Sequence, residues 1–129
     1  MKCFLCALKN INLGIPADQI ERIIPVDAAR AVSEYENVEM FISIPAILGY
    51  KNAQAPHGLV LKTEGKNAVK IIILAPKIEA DMEIPDENIH RLPEAFTGAF
   101  RYFNGACFTA GGKNLVFILD INKLRESIK

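Results

Sequence analysis

Four sets of residues in this sequence have types and spacings that chemistry uses. Cys3 and Cys6 stand three apart, the separation of a metal knuckle or a redox pair. Glu79, Asp81 and Glu83 alternate with Ile78, Ala80, Met82 and Ile84. On a strand this sets neighbouring carboxylates about 7 Å apart on one face, a separation suited to paired acid/base work. His57 and His90 are the two imidazoles, and Gly111-Gly112-Lys113 is a fragment of the pattern that cradles phosphate.

The elements that must hold these groups argue against each chemistry. On an extended strand, positions three apart point to opposite faces. No second cysteine pair completes a zinc site around Cys3 and Cys6, and Cys107 alone does not. The three cysteines are expected to be small buried core residues. The acidic triplet describes the wet side of a half-buried strand, and the chain has no Trp to form a sugar platform. No Gly-x-Ser-x-Gly accompanies the histidines, which are expected to be solvated loop residues. Gly111-Gly112 lacks a strand–glycine-rich–helix frame and is expected to be a hairpin turn. No catalytic, metal or cofactor residue is assigned, and the chain is expected to be no enzyme. An enzyme working through Glu79 and Asp81 is the competing reading.

Most of the sequence reads as strands. His57 to Pro93 carries the strongest signal. The apolar run Gly58–Leu61, a turn through Glu64-Gly65-Lys66-Asn67 and the run Val69–Leu74 predict a hairpin. Strict alternation over Ile78–Ile84 predicts a third strand with one wet face. Three successive strands make this segment the expected nucleus. Pro76 cannot donate to a ladder and is expected at a bulge or an edge.

Upstream, Cys3–Leu8 and Ile11–Ile15 predict strands joined by a turn at Lys9-Asn10. Pro16 to Gln19 suits a helix start, with Ile20, Ile23 and Ile24 inward and Pro25 as the stop. Asp27 to Asn37 gives a weak helical turn and a loop, and Val38–Ile42 a strand. Ser43 and Gly49 bracket a short helix as N-cap and C′ stop. Lys51 to Pro56 is a polar connector between two halves. Downstream, Asn88 to Pro93 predicts a short turn, and Phe100–Ala110 a strand interrupted at Asn104-Gly105. Leu115–Leu119 predicts a buried strand, and Asp120–Lys129 a helix with Ile121 and Leu124 inward.

The totals narrow the function further. With 129 residues, 50% apolar and 23% charged, the chain fits one ordered domain. Fifteen basic and fifteen acidic residues cancel to a formal +0, without the basic patch that nucleic acid requires. Near-zero charge leaves little colloidal repulsion, so self-association as a homo-oligomer or a protein partner is consistent with it. No apolar run approaches the roughly 20 residues of a membrane helix. The odd cysteine count suits a reducing cytoplasm.

The order of these motifs resembles the CheW-like domain of bacterial chemotaxis coupling proteins and of the chemotaxis histidine kinase's regulatory domain. The matching blocks are Phe4 to Ile24, with Gly14-Ile15 and Ile20-Glu21-Arg22-Ile23; Phe41 to Gly49; Gly58 to Pro93, ending in Ile89-His90-Arg91-Leu92-Pro93; and Tyr102-Phe103-Asn104-Gly105 with Leu115 to Leu124. The resemblance implies a mainly β fold of two intertwined SH3-like, five-stranded β-barrel subdomains with short helices, as a single domain over 1–129. The chain is shorter than the family pattern between Pro25 and Phe41, which implies a first barrel that lacks a strand or closes differently.

The resemblance also implies a function. It is that of a non-enzymatic adaptor or scaffold in the bacterial cytoplasm, coupling a chemoreceptor tip to a histidine kinase by protein–protein interaction in chemotaxis signal transduction. Ile20, Arg22 and Ile23, with Ile42 and Val60, are the implied partner-binding residues. Two departures bear on this. Arg22 stands where the family carries an acid, and no Leu-Arg-Gly segment occurs between Pro25 and Phe41. The alternative is a repurposed binding module of the same fold, serving another protein, self-assembly or a small ligand.

Overall fold

The computed structural model describes residues 1–9, 11–25, 27, 40–50, 54–62, 70–92, 101–109 and 114–126. Among them, in chain order, the strands are β1 (Lys2–Leu8), β2 (Ile11–Pro16), β3 (Ile20–Pro25), β4 (Met40–Ser43), β5 (His57–Leu61), β6 (Ile71–Ala75), β7 (Ile78–Glu83), β8 (His90–Arg91), β9 (Phe103–Thr109) and β10 (Asn114–Leu119). Short 3-10 turns cover Ala17–Gln19 and Asp86–Asn88, and the α-helices are α1 (Ile44–Ile47) and α2 (Ile121–Glu126).

The chain divides into two compact units, Met1–Asp18 with Ile78–Lys129, and Gln19–Lys77. In the first, six strands form one sheet in the order β7-β1-β2-β10-β9-β8. The β1–β2 hairpin pairs Leu8 with Ile11, so the expected turn begins at Lys9. Lys9 has a positive φ of 56°, the left-handed twist that a two-residue hairpin requires. β10 lies parallel to β2 and antiparallel to β9, so late strands complete the sheet that the first hairpin begins. One core of this unit joins Cys3, Ile84, Cys107, Val116 and Ile118, with Met1, Leu5, Met82 and Ile89 packed against it. Cys6 lies outside that cluster, as expected for a residue three positions from Cys3 on a strand.

In the second unit four strands take the order β3-β5-β6-β4. β5 and β6 are the central pair, and their Leu59-Val60-Leu61 and Ile71-Ile72-Ile73 runs are buried without alternation. Such continuous apolar runs mark strands covered on both faces. Ser43 caps α1, its Oγ accepting from the Ala46 N–H at 3.4 Å, with Pro45 in the first turn. Gly49 follows at φ +86°, open space around it, which is the left-handed stop that glycine supplies.

The mainly β architecture in two parts agrees with the sequence. The sheets themselves are open, of six and four strands, where the resemblance implied five-stranded barrels. Closure would require the edge strands of a sheet to pair with each other. Among the described residues β7, β8, β3 and β4 each pair with a single neighbour.

Two local expectations are corrected, and a third is met as a bulge. Ile20–Pro25 is a strand, not the continuation of a helix, and only the 3-10 turn Ala17–Gln19 precedes it. Its isoleucines at helical spacing are β-branched, and β5 supplies the ladder partners, Arg22 opposite Val60 and Ile23 opposite Leu59. β9 continues through Asn104-Gly105, but its register against β10 shifts there, Ile118 facing Gly105 and Leu119 facing Phe103, so the expected interruption is a bulge at Asn104. Glycine is needed at residue 105 because β8 approaches closely. The three strands of the supposed nucleus part company, for β5 and β6 pair in the second unit while β7 joins β1 in the first. Pro76 lies between β6 and β7, outside both ladders, where its missing N–H costs nothing. The expected Glu64–Asn67 and Gly111-Gly112 turns, the Asp27–Asn37 segment beyond Asp27, and residues 51–53 of the connector lie outside the described residues.

Candidate partner-binding site

The groups with catalytic types of side chain are arranged for structure. Cys3, Cys6 and Cys107 are buried free thiols. Burial pushes Cys6 up to about 12 and Cys3 to about 11, and raises Cys107 as well. At neutral pH these thiols are protonated, the form that neither attacks nor ligates a metal. Glu79, Asp81 and Glu83 are exposed along β7. Asp81 lies 3.6 Å from the Lys2 ammonium, and Glu83 accepts at 3.0 Å from the Met1 ammonium, which also donates to the Ile84 carbonyl. These contacts tie β7 to β1. His57 and His90 sit on β5 and β8, on strands and not in loops, one in each unit.

An open cleft of about 590 Å³ in the first unit is lined by Met1, Lys2, Phe4, Ala17, Asp18 and Asp86. These residues combine an apolar floor with both signs of charge and include no nucleophile–base pair. No helix among the described residues is long and apolar enough to cross a membrane.

The partner-binding residues expected from the sequence all fall in the four-stranded sheet, on three strands. β3 is an edge strand, and from Glu21 to Ile23 its side chains are exposed, Ile23 at 40%. Arg22 and Ile23 are therefore adjacent on a solvent-facing edge. Ile20, at the start of the same strand, is buried. Val60 lies on central β5, opposite Arg22, and is 0% exposed. Ile42 lies on the other edge strand, β4, and is buried while its neighbour Phe41 is 42% exposed. The structure thus brings Ile20, Arg22, Ile23 and Val60 onto two paired strands and sets Ile42 at the far edge.

Three further apolar side chains are exposed among the described residues, and Leu115 corrects the expectation that its strand is buried throughout. Phe41 is one. The others, Phe108 at 61% and Leu115, are directly opposed on β9 and β10. For Phe41 the signal was present but ambiguous. Period two sends one of Phe41 and Ile42 outward, and two apolar residues in succession do not say which.

The strand order of both sheets can now be set beside known structures. The crystal structure of the scaffolding protein TtCheW from Thermoanaerobacter tengcongensis is similar to this chain, with a TM-score of 0.69 over 93% of this chain and 84% of that one. The fold is CheW-like. Sequence identity across that similarity is 10%, so the likeness is one of architecture. No protein-family model and no curated protein sequence matches the chain.

Proposed function

We propose that this chain is a non-enzymatic adaptor of bacterial chemotaxis-type signalling, a single CheW-like domain that couples a receptor tip to a histidine kinase in the cytoplasm by binding proteins. The observation that carries this reading is the CheW-like fold, shared with a protein described as a scaffold. The exposed β3 edge supports it, because an edge strand with an apolar side chain beside a charge offers both ladder groups and a side-chain anchor. Arg22 and Ile23 form the centre of the proposed surface, with the buried Ile20, Ile42 and Val60 contributing through the sheet behind it.

One observation favours a second reading. Arg22 is exposed at a position where the family pattern carries an acid. A partner matched to an acid would meet a like charge here, and like charges across an interface cost several kcal/mol. The second reading is a binding module of the same fold that has moved to another protein, to self-assembly or to a small ligand.

Co-purification of the tagged chain from its native cell, read by mass spectrometry, separates the two. Recovery of a chemotaxis-type kinase or a chemoreceptor is the expected result. Reproducible recovery of an unrelated partner, with neither of those present, would overturn the first reading in favour of the second.

A further inference from the structure

We draw no further inference here: the strongest candidate, the exposed Phe108–Leu115 cross-strand pair on β9 and β10 of the six-stranded sheet, is an apolar patch and nothing in the structure shows what covers it.

Discussion

The backbone carbonyl oxygen of His90 lies 2.7 Å from the point that a β-carbon on Gly105 would occupy, and the Ile89 Cγ2 lies 2.8 Å from it. Real β-carbons do not approach other atoms so closely, so the two-residue strand β8 rests against β9 only because residue 105 has no side chain. A carbonyl oxygen held in a ladder cannot rotate away. Gly105→Ala therefore has to displace β8, and overpacking of this kind costs about 1–3 kcal/mol. Urea unfolding should show a lower midpoint at an unchanged slope. At Gly14 the nearest obstacle is the tip of Ile118 at 2.9 Å, which can turn aside. Gly14→Ala should lose less than Gly105→Ala, and the reverse order would contradict this account of β8.

The thiols make alkaline stability a test of the core. A thiol whose folded value is raised leaves stability fully present below its unfolded value of 9.0. Above that pH the unfolded chain releases protons that the folded chain keeps. Stability should therefore fall as pH rises from about 9 through the folded values near 11 and 12. The informative comparison is with Cys6→Ala. That variant should lose stability less steeply with pH above 9, although it starts lower at neutral pH because the site is buried. Equal slopes would mean that Cys6 is not shielded from solvent.

Ile23 and Val60 separate surface from core within the proposed binding region. Val60 is wholly buried, and Val60→Ala should destabilise the fold by about 2 kcal/mol. Ile23 is 40% exposed, and Ile23→Ser should leave stability within about 0.5 kcal/mol. Its effect should appear instead as weaker capture of whichever partner the native chain retains. Unfolding curves and the pull-down must be read together, since loss of capture by an unstable variant says nothing about the surface.

Charge at position 22 should set partner choice. Arg22→Glu is expected to strengthen binding to the regulatory domain of an ordinary chemotaxis kinase several-fold, mainly through a faster association rate. The gain should shrink as salt rises, because the β3 edge is exposed and its charges are screened. Strong binding of the unaltered chain to such a kinase, with no response to Arg22→Glu, would remove the charge argument.

Local chemistry explains which elements were legible in the sequence. Ser43 and Gly49 bracket α1 because a hydroxyl cap and a left-handed stop each satisfy orphan backbone groups through their own residue type. Ile121 and Leu124 fall inward on α2 at the spacing of one helical turn, and Asp120 accepts from the Lys123 N–H at 3.1 Å to cap it. The β5–β6 hairpin declared itself through β-branched runs.

The failures came where a distant partner decides. Ile20, Ile23 and Ile24 carry helical spacing, but β5 makes them a strand. Three strands in succession suggested one nucleus, whereas β7 finds β1, more than seventy residues upstream. Asn104-Gly105 does mark an irregularity in β9, but the reason residue 105 must be glycine lies on β8. The site was less legible than the fold. Arg22 was identified by comparison with a family pattern, and the direction in which Phe41 and Ile42 point was set by a register that no local pattern encodes.

The parallel pairing of β2 with β10 has a consequence for how the chain is made. Synthesis is vectorial, and at roughly 5–20 residues per second the strands of the second unit are all made seconds before β10 exists. The β1–β2 hairpin is made before β10, yet one side of β2 stays without its ladder partner until β10 follows. A message truncated after Lys77 would still encode every described strand of the four-stranded sheet, but only a lone hairpin of the six-stranded one. Isolated hairpins are marginal in water. A hairpin made early is thus secured only by a strand made late, and until then it is the part of the six-stranded sheet most in need of shelter.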